Sequence, residues 1–170
     1  MHGDGTGLPG VSLLVVVADH EELPFIDRHS VEVAAGPQAT WDALVEVLVR
    51  SLGSRGSRLA ARALGCTETG PIVRPLAEGS TITGFRVLAF VPPAELTLAG
   101  EDRFSRYRLS FDLEPIANGR TSLSAATSAT FPGLHGRLFR TLVVGSGGHA
   151  LVTRRLLKSV GREVEATGRG

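Results

Sequence analysis

The chain has 170 residues and a mass of 17.9 kDa, enough for one domain with a real hydrophobic core and cramped for two. Its 42% hydrophobic and 21% charged composition is that of an ordinary globular protein, and a net charge of +1 leaves no global electrostatic footprint for nucleic acid. A single cysteine, Cys66, excludes an internal disulfide framework and fits a reducing cytoplasm.

The chain begins with a glycine-rich stretch that reads as a loose tail. Gly3, Gly5 and Gly7 imitate a phosphate loop, but they precede the apolar run at residues 11–18 instead of following a strand, so a nucleotide fingerprint is rejected. That run falls well short of the roughly 20 residues a membrane span needs. Residues 1–10 carry Asp4 and no Lys or Arg, unlike the basic start of a signal peptide. Residues 11–18 are either an extra edge strand or the remnant of an upstream start site.

Residues 27–35, with Ile26, Val31, Val33 and Ala35, have the β-branched, partly alternating pattern of a strand. Gly36-Pro37 stops it, and Pro37 suits the first turn of a helix. Trp41, Leu44, Val45, Leu48 and Leu52 recur at spacings of three and four, which predicts an amphipathic helix anchored in the core by Trp41. Gly53-Ser54-Arg55-Gly56 breaks it, and Ser57 is the expected cap of a short second helix ending at Gly65. Residues 66–83 are rich in turns, with short strands expected at Ile72-Val73 and Thr81-Ile82-Thr83.

Clearer strands follow. Residues 85–91 read as one, Pro92-Pro93 as a corner, residues 95–99 as another, and Gly100-Glu101-Asp102 as a turn. From 105 to 113 the alternation is regular: Tyr107, Leu109, Phe111 and Leu113 share a dry face, against Arg106, Arg108, Ser110 and Asp112 on the wet one. Asn118-Gly119 marks a hairpin, and residues 120–131 return antiparallel with Leu123, Ala125, Thr127, Ala129 and Phe131 inward. Phe131-Pro132-Gly133 then leads into a helical pattern from 134 to about 165, interrupted at Gly145-Ser146-Gly147-Gly148-His149. Each glycine costs a helix roughly 1 kcal/mol relative to alanine, so the interruption points to a kink, a close approach or room for a guest.

The order strand, two helices, several strands, long helix resembles the helix-grip fold of the START-related SRPBCC superfamily, which includes polyketide cyclase/dehydrase-like proteins and carriers of hydrophobic ligands. The resemblance covers roughly residues 26–165. It is carried by Asp27-Arg28-His29-Ser30-Val31 leading into Gly36-Pro37, by Thr40-Trp41-Asp42-Ala43-Leu44, by the Val91-Pro92-Pro93 corner, by Phe104-Ser105-Arg106-Tyr107 and by Phe131-Pro132-Gly133. None of these is a catalytic motif. The resemblance implies an α+β fold in which a curved antiparallel sheet wraps the long C-terminal helix and encloses a ligand cavity. Residues 1–25 form an N-terminal extension outside it, and 166–170 a C-terminal tail.

At about 100° per residue, Leu134, Leu138, Leu142, Gly145, His149, Val152, Leu156 and Val160 fall within one arc of the last helix, expected to face the sheet. His149 therefore sits where an apolar residue is expected. It is a hydrogen-bonded core residue, a ligand-facing polar group or an acid–base catalyst. Tyr107 either packs with a satisfied hydroxyl or bonds a guest. Small Ala125, Thr127 and Ala129 on the facing strand leave space beneath the helix. Ser146 has Val144, not glycine, two residues before it and no identifiable carboxylate paired to the nearby histidine, which excludes a hydrolase triad. His2, His20, His29, His135 and His149 are scattered, so no metal site is expected. Arg137, Arg140, Arg154, Arg155, Lys158 and Arg162 occupy another arc, which reads as a solvated face or as a surface for acidic lipid headgroups or RNA.

The expectation is a cytoplasmic protein that binds a hydrophobic or amphipathic small molecule, lipid- or polyketide-like, without cofactor, metal or nucleic acid. Tyr107, Leu109, Phe111, Ala125, Thr127, Ala129, Leu142, Gly145 and His149 are the ligand-binding candidates. The alternatives are a cofactor-independent cyclase or dehydratase in which His149 or Tyr107 moves a proton, and an interaction module using the basic helix face.

Overall fold

The computed structural model describes residues 22–72 and 74–168. The apolar run at 11–18 and Val73 of the expected Ile72-Val73 strand lie outside the described residues; Ile72 belongs to no strand. In chain order the elements are β1 (Phe25–Val33), α1 (Pro37–Leu52), α2 (Arg55–Leu64), β2 (Thr81–Ile82), β3 (Phe85–Val91), β4 (Glu95–Glu101), β5 (Arg106–Ile116), β6 (Arg120–Thr130), α3 (Gly133–Val143) and α4 (Gly148–Thr167). The six strands form one antiparallel sheet in the order β1-β6-β5-β4-β3-β2. This is an α+β fold of the helix-grip kind, with a curved sheet and the last long helix packed against it.

Alternation along β5 and β6 decides which face is dry. Leu109, Phe111 and Leu113 pair with Thr127, Ala125 and Leu123 on the inner side. α1 and α4 lie side by side over that side and cover it. Leu44 and Leu48 of α1, Leu157 and Val160 of α4, and Val33, Phe111 and Leu123 of the sheet form the core, each 1% exposed or less. Pro37 opens α1 as expected from its fixed φ. α2 starts earlier than predicted, because Ser54 rather than Ser57 is its cap: the Ser57 N–H donates to Ser54 Oγ at 3.1 Å.

The turn between β4 and β5 also lies later than expected. Gly100 and Glu101 stay extended and pair with Tyr107 and Arg106. The Asp102 carboxylate instead accepts from the N–H groups of Phe104 and Ser105 at 2.8 and 2.9 Å, and so closes the reversal.

The predicted single C-terminal helix is two. Val144 ends α3, and Gly147 takes a left-handed conformation (φ 73°) before α4 begins. α3 is fixed by the face opposite its leucines. Gly136 is buried so close to the backbone of Phe104 and Phe131 that a Cβ there would lie 2.7 Å from the Phe131 carbonyl carbon. One turn on, the Phe139 ring stacks on Phe104 with centroids 5.1 Å apart. The expected sheet-facing stripe Leu134, Leu138 and Leu142 is consequently turned to solvent; in α4 Leu156 and Val160 do pack inward, but Val152 of the same expected arc is exposed.

Tyr107 has a packing role in this frame. Its ring lies over Gly100 on the neighbouring strand, makes an edge contact with Phe85 at 5.2 Å, and its hydroxyl donates to the Gly84 carbonyl at 2.9 Å. A Cβ on residue 100 would meet the Gly84 carbonyl oxygen and approach Tyr107 Cε2 to 2.5 Å. Burial pushes the phenol well above the ordinary tyrosine range, and the Cys66 thiol beside the hydroxyl at 3.7 Å adds to the shift.

Two measurements check this packing. Gly100→Ala should lower stability by about 2 kcal/mol or more in denaturant unfolding, because backbone must move. Gly161→Ala in α4, where a Cβ meets nothing within 4 Å, should raise it by about 1 kcal/mol. Since Tyr107 is the single tyrosine, alkaline titration reads it alone. A folded-state pKa above the unfolded one means that stability is complete below about pH 10 and falls as pH rises past it. Phenolate absorbance should therefore appear together with loss of circular dichroism; reversible ionisation of the folded chain near pH 10 would contradict the burial argument.

Candidate functional site

The strongest polar constellation lies where β1 and β6 meet the first turns of α4. On β1 the side chains of Asp27, His29, Val31 and Val33 alternate onto the inner face, opposite Thr127, Ala125, Leu123 and Thr121 of β6. Two apolar residues anchor the strand in the core, and the two polar ones continue the same face beyond it. From α4, His149 descends onto them.

His29 Nε2 lies 3.2 Å from Asp27 Oδ2, and its Nδ1 accepts from Arg154 Nε at 3.4 Å. The tautomer of His29 that accepts from Arg154 at Nδ1 has its Nε2–H directed at Asp27. His149 Nε2 is 2.9 Å from Thr127 Oγ1, a pair in which either atom can donate, and 3.6 Å from Asp27 Oδ1, beyond hydrogen-bond reach. Oδ1 is buried and accepts no hydrogen bond among the described residues. The side chains of Asp27, His29 and His149 are 23%, 14% and 26% exposed, so this carboxylate is half-hidden from water between two imidazoles. The first turn of α4 also brings the positive end of a 20-residue helix to this place, which favours a negative group.

Chemically, the cluster offers one unused carboxylate acceptor and one hydroxyl that can donate or accept. His149 Nε2 stands between them. Such a set can hold a guest's hydroxyl, amide or ammonium group, and its histidine–carboxylate pair can also move a proton. Among the described residues no group of three or more His, Cys, Asp or Glu side chains is arranged to hold a metal ion.

The candidates taken from the sequence fall into three places. His149 and Thr127 meet in the cluster, with Leu109 directly opposite Thr127 on β5 and buried Ala129 two residues along β6. Phe111 and Ala125 are fully buried beneath it and belong to the core. Leu142 and Gly145 lie exposed at the end of α3 and the junction after it, and Tyr107 spends its hydroxyl on the Gly84 carbonyl. Sequence reasoning missed Asp27 and His29 as members of the site. The available signal was their spacing of two along a strand whose next members, Val31 and Val33, are apolar, which puts all four on one face.

No protein-family model matches the chain, and no curated protein matches it. Among solved structures, the chain is similar to a conserved protein from Geobacillus kaustophilus, with 17% identity and a TM-score of 0.51 over 82% of this chain and 95% of that one. It is likewise similar to protein NE0264 from Nitrosomonas europaea, with 13% identity and a TM-score of 0.52 over 83% of this chain and 94% of that one. At these identities the likeness is one of fold.

Proposed function

We propose that the protein binds a hydrophobic or amphipathic small molecule, lipid- or polyketide-like, between the sheet and the C-terminal helix. Residues 26–165 form the binding unit, acting in the cytoplasm, where Cys66 stays reduced. Asp27, Thr127 and His149 receive the polar end of the guest, and Leu109 and Ala129 receive its apolar body. The observation that carries this reading is the buried Asp27 Oδ1, which lacks a donor beside two partly exposed histidines. A buried acceptor without a partner costs about 1–3 kcal/mol, and a ligand donor would offset that cost. The register supports an amphipathic guest: one row across the sheet runs from Asp27 through Thr127 to Leu109, from charged to polar to apolar within three strands.

A second reading is favoured by the two imidazoles that flank one carboxylate. In a cofactor-independent cyclase or dehydratase, His149 would take a proton from substrate carbon and return it to a substrate oxygen, with Asp27 stabilising the imidazolium between the two transfers.

Native mass spectrometry of the freshly purified 170-residue chain tests the first reading. A fraction should carry a small molecule that extraction releases. Asp27→Asn and Thr127→Val, which keep side-chain volume, should each reduce its retention about tenfold, the effect of roughly one hydrogen bond to a charged or buried partner. Empty protein from several expression hosts, or unchanged retention in both variants, would sink the proposal. If His149→Ala abolishes conversion of the bound molecule while leaving its retention intact, the enzymatic reading gains over carriage.

A further inference from the structure

Charge is unevenly distributed along the chain. No Asp or Glu occurs between Glu114 and Glu163, while the same stretch carries Arg120, Arg137, Arg140, Arg154, Arg155, Lys158 and Arg162. Within it stand three of the most exposed large apolar side chains among the described residues. Leu134, Leu138 and Leu142 are 78%, 72% and 70% exposed on successive turns of α3. They lie opposite the face that Gly136 and Phe139 commit to Phe104 and Phe131, so α3 has one face docked on the protein and the other apolar and open. Arg137 and Arg140 are exposed between these two faces. Leu151 and Val152 expose further apolar surface in the first turns of α4, followed by exposed Arg154, Arg155 and Lys158.

From this arrangement we infer that α3 is a peripheral docking surface for an anionic phospholipid bilayer, with its leucines entering the headgroup–acyl boundary and its arginines at the phosphates. An apolar helix face flanked by cations and free of carboxylates is the pattern that lies in a membrane interface, and each arginine near an anionic surface adds to binding. Charge favours this occupant over a second copy of the chain. An antiparallel pair of α3 helices would bring four arginines together, and no carboxylate from residues 115–162 could answer them. The docking is peripheral: among the described residues no helix is long and apolar enough to cross a membrane. It does not depend on the ligand reading, since a protein with an empty interior would dock equally well.

The test is cosedimentation of the 170-residue chain with vesicles of phosphatidylcholine alone and of phosphatidylcholine mixed with phosphatidylglycerol. Partitioning should be about tenfold or more stronger on the anionic vesicles and fall as salt rises. Leu138→Glu should abolish it. The double variant Arg137→Gln/Arg140→Gln should remove most of the anionic preference, and since all three positions are exposed, melting temperatures should change little. Equal partitioning on both vesicles, or none on either, overturns the inference. So does a dimer in solution that Leu138→Glu dissociates, which would make the stripe an interface between copies. Amide-exchange protection of residues 11–18 that Leu138→Glu removes would instead identify the chain's own apolar segment as the occupant, and would equally overturn it.

Discussion

The covering of the sheet's inner face by two helices far apart in sequence is the constraint on which the rest depends. A six-stranded antiparallel sheet with one dry face cannot leave it in water, and α1 covers only part of it. α4 completes the cover over β1 and β6, and its Leu157 and Val160 share one core with Val33 and Leu123. Burying such a side chain contributes about 1.5–3 kcal/mol, far more than the exposed Arg50–Glu163 pair that ties the far end of α4 to α1. The hydrophobic contact fixes where α4 sits, and every polar contact nearby inherits that position.

The polar cluster is one such inheritance. β1 passes from the core toward its free end, so its inner face changes from Val33 and Val31 to His29 and Asp27, and the N-terminal turns of α4 lie over that end. The chain thus brings a carboxylate, two imidazoles and a hydroxyl together at the margin of the core, where water is partly excluded and each hydrogen bond is stronger than in solvent. Arg154 adds a contact from α4 to His29 Nδ1. Four polar groups, one carboxylate, two imidazoles and one hydroxyl, are thereby held beside an apolar wall.

α3 follows a different logic. An aromatic stack between Phe139 and Phe104, together with the close approach that only glycine permits at 136, fixes one face of the helix to the end of the sheet. With that face committed, the leucine stripe has nowhere to go but outward. A continuous helix through residue 147 would have carried the stripe onto the sheet, and the turn at Val144 to Gly147 separates the two directions.

Much of this architecture was legible in the sequence. The alternation of Leu109, Phe111 and Leu113, the small inward residues of β6, the Asn118-Gly119 hairpin and the proline start of α1 are local patterns, and local sterics and solvation enforce them wherever they occur. His149 was placed on the sheet-facing arc by helical periodicity alone, and it does reach Thr127. Periodicity failed for Leu134, Leu138 and Leu142 because it says that a helix has an apolar face but not which neighbour claims it; here aromatic packing claimed the opposite side. The meeting of Asp27 and His29 with His149 was likewise beyond the sequence. They lie more than 100 positions apart along the chain, and only the docking of α4 on β1 brings them within contact. The sequence by itself determined the elements and their dry faces, since those follow from near neighbours; tertiary packing decided which polar groups share a site and which apolar surface stays open, since both depend on contacts that no local pattern encodes.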